Sequence, residues 1–188
     1  VRCFQLLAVN APVQPLLHAI SRQPELWNQE RVRTSFDQSP HAQVDDILIR
    51  FQDIEKHRAL DNHWQMIDEH ETIWQPAAAM LPQCRPLIFD LMHKVEGERL
   101  GRVLITRLAP GAVIAPHVDG AAHAAYYDRY HITLHNMEGS TFKCGDEEVH
   151  MQTGSVWWFD NSQEHSVVNE SLDYRLTLIV DIRTMRKG

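Results

Sequence analysis

From residue 99 onward, apolar and polar side chains alternate with a period of two, in short runs separated by turn residues. The runs are RVLITRLA, AVIAPHVD, RYHITLH, TFKCG, EEVHM, GSVWWFD, EHSVVNE and YRLTLIVDIR. Successive side chains on a strand point to opposite faces, so each run predicts a strand with one face in a core. Before residue 99 the pattern differs. PVQPLLHAISRQPELW, within 11–30, predicts a short helix, and DDILIRF at 45–51 predicts a strand by its β-branched and aromatic content. Leu87, Ile88, Leu91, Met92 and Val95 form one stripe of a second helix, started at Pro86 and stopped by Gly97. The segment 52–75 is polar, mixed in pattern, and reads as a long loop with a helical turn. Strands following a helical start predict a mainly β fold with flanking helices, an antiparallel sandwich or jelly roll with helices on one sheet. The expected organisation is a single domain, 1–188, in which 1–98 supplies an N-terminal strand, a loop and buttressing helices, and 99–188 forms the jelly-roll core.

Composition narrows the function classes. A chain of 188 residues that is 44% hydrophobic and 23% charged is an ordinary globular protein, and no apolar run approaches the ~18 residues of a membrane span. A formal charge of −7 with scattered Lys and Arg argues against a phosphate-tracking surface, so nucleic acid is not an expected partner. Cys3, Cys84 and Cys144 lie far apart without a CxxC pair, which implies neither a zinc knuckle nor a disulfide framework. The opening residues lack the basic start, apolar block and cleavage site of a secretory signal, and a reducing cytoplasm is the expected location.

The chemistry concentrates in 115-APHVDGAAHAAYYDRYHITLH-135 and in the strands after it. His117 and Asp119 are separated by one residue, which on an extended strand puts both side chains on the same face. His165 comes after GSVWWFD and a turn-rich DNSQE. Two imidazoles and one carboxylate suit a non-haem Fe(II) site that leaves one side of the metal open, and zinc accepts the same ligands. HxD alone is a short pattern. Arg175 adds to it: it leads a strand with apolar neighbours, where a buried guanidinium asks for a carboxylate. The alternatives are an exposed strand-end arginine or an internal pair with Asp173 or Asp181. In RYHITLH, Arg129, His131, Thr133 and His135 alternate with Tyr130, Ile132 and Leu134; the polar face lies either in solvent or inside the barrel. Trp157, Trp158 and Phe159 read as sheet core, and His123, His135 and His150 carry no assigned role.

In 107-RLAPGAVIAPHVDG-120, 129-RYHITLH-135 and 154-GSVWWFDNSQEHSVVN-169 the chain resembles the aspartyl/asparaginyl β-hydroxylase type of Fe(II)/2-oxoglutarate-dependent dioxygenases, which includes bacterial free-proline hydroxylases. The resemblance implies a double-stranded β-helix, the cupin-like jelly roll. It implies Fe(II) held by His117, Asp119 and His165, with Arg175 on the distal carboxylate of 2-oxoglutarate and Arg129 with His131 by its C1 carboxylate. The expected reaction uses O2 and releases succinate and CO2 while hydroxylating an unactivated C–H bond of an amino acid or aminoacyl side chain, such as free proline or peptidyl Asp or Asn. Two other classes compete: a metal-free jelly-roll module that binds a small carboxylic acid, and a zinc-dependent lyase or hydrolase on the same barrel. The segment 52–75, with His63 and Trp64, is the candidate lid.

Overall fold

The structure, a computed structural model, describes residues 2–36, 38–58 and 69–185. The candidate lid residues His63 and Trp64 therefore lie outside the described residues. Strands β1 (Phe4–Ala8), β2 (Val44–Phe51), β3 (Ile73–Trp74), β4 (Gly97–Leu108), β6 (Asp128–His135), β9 (Val156–Phe159) and β11 (Arg175–Thr184) form one sheet in the order β1-β9-β6-β11-β4-β2-β3. Strands β5 (Val113–His117), β7 (Ser140–Cys144), β8 (Glu147–Val149) and β10 (His165–Asn169) form a second, in the order β5-β10-β7-β8. Every pairing is antiparallel. Facing sheets linked in this way are the expected jelly roll, and each of the eight runs after residue 99 contains a strand.

The period of two sorts the large sheet into two faces. Ile47, Ile49, Val103, Ile105, Tyr130, Ile132, Leu134, Leu178, Val180 and Ile182 point outward and are buried by helices. Those helices are α1 (Gln14–Ser21), α3 (Ala77–Met80) and α4 (Cys84–Lys94), and with the turn between the last two they contribute Leu16, Ile20, Leu81, Leu87, Ile88 and Leu91 to the same core. Each fully buried aliphatic side chain of this kind stabilises the fold by about 1.5–3 kcal/mol. Among the described residues two short helices lie elsewhere, α2 (Ile54–Arg58) and α5 (Ala121–Tyr126), the latter between two of the strand-like runs.

The start and stop of α4 differ from the sequence reading. It begins at Cys84, so Pro86 sits in the first turn, where a missing N–H leaves no bond unmade. The left-handed residue that ends it is Glu96, at φ 54°, and not Gly97. Gly97 opens β4, where a Cβ would stand 2.5 Å from Ile182 Cγ2, so its role is close approach of two strands.

The inner face of the same sheet looks toward the second sheet. Phe4, Val44, Leu108, Phe142, Phe159 and Val167 fill one end, and Leu48, Phe51, Leu104 and Ile179 the other. Between them Asp46, Thr106, Arg129, His131, Thr133, Arg175, Thr177 and Asp181 are all buried. The polar face of β6 thus points into the barrel. Buried polar groups at this density need partners, which directs attention to the barrel interior.

Candidate metal centre

Strand pairing builds the centre. β5 ends at His117 and β10 begins at His165, and the antiparallel register sets these two residues opposite each other, with ring centroids 4.3 Å apart. Asp119 lies just past the end of β5, where its N–H donates to the Asn161 carbonyl at 3.2 Å and turns the chain back toward the rings. The Asp119 carboxylate then lies 3.7 Å from His117 Nε2 and 3.9 Å from His165 Nε2, and the candidate ligand atoms of all three residues fall within 4.8 Å of one another.

The ring orientations are fixed by the backbone. His117 Nδ1–H donates to the Ala115 carbonyl at 2.7 Å and His165 Nδ1–H to the Gln163 carbonyl at 2.9 Å. A carbonyl only accepts, so each neutral ring carries its hydrogen on Nδ1 and presents a bare Nε2 to the centre. His117 Nε2 is buried with no hydrogen-bond partner among the described residues. Burial also lowers the His165 imidazole below its ordinary pKa, favouring the neutral ring. Two aligned lone pairs and a carboxylate fit a divalent metal bound on one side.

A buried ionic network holds the carboxylate. Arg129 donates from Nη1 to Asp119 Oδ2 at 2.7 Å, and from Nε and Nη2 to both oxygens of Asp181 at 2.8 and 3.0 Å. Asp181 also meets His123 Nε2 at 3.2 Å, while His123 Nδ1 lies 3.0 Å from the Glu69 carbonyl. Burial by itself would raise the pKa of Asp119, but Arg129, with His165 and His117, outweighs it and holds the carboxyl below its usual range. Asp181 is held well below that range by Arg129 and His123 against the same cost. Asn161 Nδ2 adds a long contact to Asp119 Oδ2, 3.5 Å.

Arg175 has a different environment. It is 4% exposed, points into the narrow cavity inside the barrel that also touches His117, His131 and His165, and has Met151 Sδ at 3.7 Å and the Phe142 ring at 5.7 Å as its neighbours. Neither alternative reading of Arg175 is what the structure contains: Asp181 pairs with Arg129, Asp173 lies 3.2 Å from His135, and the side chain is not exposed. With no acid against it among the described residues, burial alone pulls its pKa down to about 10. Thr177, two residues along β11, has a buried Oγ1 without a partner among the described residues, as does His131 at Nδ1. Burial, then Arg175 and Arg129, lowers the His131 pKa well below its ordinary value, so this ring is neutral. The six residues singled out from sequence, His117, Asp119, Arg129, His131, His165 and Arg175, are thereby gathered around one barrel interior.

A second cavity, of about 360 Å³, opens outward from the first and shares Arg33, His41, His117 and Arg129 with it. Sequence reasoning missed the roles of Asn161, His123 and Thr177, and offered Asp181 as a partner for Arg175, whereas it pairs with Arg129. Only the R-L-T spacing of Arg175 and Thr177 on one strand face was readable beforehand.

Residues 27–184 match the family model of aspartyl/asparaginyl beta-hydroxylase. The chain belongs to this family. Among curated relatives, human aspartyl/asparaginyl beta-hydroxylase is 30% identical over 117 residues, covering 59% of this chain and 15% of that protein. L-proline cis-3-hydroxylase 1 of a Streptomyces species is 33% identical over 101 residues, covering 52% of this chain and 34% of the relative. The chain thus spans about a third or less of these relatives. Among solved structures, a Trichoplax adhaerens prolyl hydroxylase in complex with a hypoxia inducible factor oxygen degradation domain peptide superposes with a TM-score of 0.57 at 9% identity, over 98% of this chain and 85% of that one, a likeness of fold. Among the described residues no helix is long and apolar enough to cross a membrane.

Proposed function

We propose that the protein is an Fe(II)/2-oxoglutarate-dependent hydroxylase of an amino acid or aminoacyl side chain. The observation that carries the reading is Arg175, a buried guanidinium with no acid against it among the described residues, in the same cavity as two imidazoles with bare Nε2 atoms. A metal-free acid-binding module would have use for the arginine but none for the paired histidines. Family membership supports iron over zinc, and relatives named for Asp, Asn and proline support an amino-acid substrate.

His117, Asp119 and His165 are the residues that would hold the iron. When bound, iron and 2-oxoglutarate supply the activation of O2, with 2-oxoglutarate leaving as succinate and CO2 and one oxygen entering a C–H bond as hydroxyl. The chain's own contribution is to bind, orient and exclude water. Arg175 receives the distal carboxylate of 2-oxoglutarate through its planar fork, with the Thr177 hydroxyl beside it. His131 offers Nδ1 toward the C1 carboxylate. Arg129 lies by the same carboxylate and, with its fork committed to Asp119 and Asp181, acts chiefly by fixing the carboxylate ligand. Phe142, Phe159, Val167 and Ile179 line the inner cavity and keep it dry, so these charges act at low dielectric.

The test is Fe(II)-dependent conversion of 2-oxoglutarate to succinate in the presence of a panel of amino acids and peptides. A panel member that accelerates succinate formation and gains one oxygen is the expected result. Absence of any 2-oxoglutarate consumption by iron-loaded protein would overturn the reading.

A further inference from the structure

We propose that His41 is the residue through which the protein recognises its substrate, its Nδ1 hydrogen-bonding a polar group of the molecule seated in the outer cavity beside the metal centre. The proposal rests on the hydroxylase reading and deepens it. His41 lies on the connection before β2, and that connection docks on β5, an edge strand of its sheet. Ala115 N–H donates to the Pro40 carbonyl at 3.1 Å, Val113 N–H to Gln43 Oε1 at 2.9 Å and Val44 N–H to the His41 carbonyl at 2.9 Å. His41 N–H donates to Ser39 Oγ at 3.2 Å, and Arg33 grips Asp46 through Nε and Nη2 at 3.0 and 3.2 Å. The backbone that presents His41 is therefore fastened on both sides to the barrel.

The ring it presents stands edge-on to that of His117, with centroids 4.8 Å apart and planes at 85°, and it lines both the inner and the outer cavity. It occupies the boundary between the cosubstrate chamber and the way out. Its Nδ1 is buried and has no hydrogen-bond partner among the described residues. A phenyl ring would give the same edge packing without desolvating a nitrogen, so packing does not account for an imidazole here. A polar group of a molecule seated in the outer cavity would supply the missing partner. The outer cavity that His41 lines has an apolar side, Val32, Phe36, Phe51 and Val118, and a charged side, Arg33, Arg102, Asp119 and Arg129. That combination fits a compact amino-acid unit which turns an aliphatic C–H toward the metal and a carbonyl, carboxylate or amine toward His41.

The probes are the common free L-amino acids and their N-acetyl amides, added to protein loaded with zinc as a redox-silent stand-in and saturated with 2-oxoglutarate. The His41 ring resonance is identified by its loss in His41→Phe. At least one probe is expected to shift it, and His41→Phe should weaken that probe about tenfold or more, the loss of one hydrogen bond. The affinity for 2-oxoglutarate should stay within about twofold of the parent's. His41→Asn, which keeps a hydrogen-bonding atom near the Nδ1 position, should recover part of the loss. A resonance that no probe moves, or a probe bound equally well by His41→Phe, overturns the proposal. Succinate formation by the iron-loaded parent, measured alongside, separates the two readings: its absence overturns the hydroxylase assignment, while its presence with unaltered His41→Phe binding overturns the role of His41 alone.

Discussion

Asp119 shows how much of a site one side chain can be asked to carry: it faces two imidazoles and accepts from Arg129, and its carboxyl stays below its usual pKa despite burial. Replacing His117, Asp119 or His165 by Ala is expected to abolish substrate-dependent succinate formation and to lower metal affinity, read by titration with Co(II), while the far-ultraviolet spectrum stays native. Turnover by all three variants at the parent rate would remove the triad. Arg175→Lys keeps a charge but loses the two-pronged geometry. About 1.5–3 kcal/mol for a charge-assisted hydrogen bond corresponds to a rise of roughly tenfold or more in the KM for 2-oxoglutarate, with metal content unchanged. At this scale the sequence was legible where types are rare in cores. Buried Arg and paired His in apolar runs announce themselves, whereas Asp181 and His123 are ordinary residues whose roles arise from contacts 52 and 58 positions apart in the chain.

At the scale of elements, the runs that contain β4 to β11 were legible from their short alternating stretches and the turn residues between them. β1 was not, since its burial runs from buried through exposed to half-buried without alternating. α5 was hidden by its small residues, AAHAAY, which carry no apolar stripe. The polar face of β6 could be read as solvent-facing or barrel-facing, and only pairing between β9 and β11 places it inside. Strand proximity also sets an expectation for Gly97→Ala: a Cβ 2.5 Å from Ile182 Cγ2 forces β4 and β11 apart or Ile182 off its rotamer. A loss of about 1–3 kcal/mol is expected, a few degrees in Tm for a chain of this size. An unchanged Tm would mean that the strand ends separate freely.

For the whole molecule the inner network couples stability to pH. The Asp181 carboxylate has a folded pKa depressed by Arg129 and His123, so its contribution is complete above the unfolded value near 4 and is lost as pH falls toward the folded one. The parent is therefore expected to lose Tm progressively below about pH 4. Asp181→Asn should be less stable at pH 7, by roughly 3–5 kcal/mol if Arg129 is left half-paired, and should show a flatter acid limb. Parallel acid limbs would show that other carboxylates govern the decline. The same network runs from the Glu69 main-chain carbonyl through His123, Asp181 and Arg129 to Asp119, so one chain of hydrogen bonds connects residue 69 to the candidate metal centre. The claim on which these expectations converge is that this centre uses iron and 2-oxoglutarate together. Its most direct test is turnover under isotopically labelled O2, with the label followed into succinate. Label in succinate, dependent on Fe(II) and lost in Arg175→Ala at the same 2-oxoglutarate concentration, is the result expected; 2-oxoglutarate left intact by iron-loaded parent protein, or succinate free of label, would contradict it.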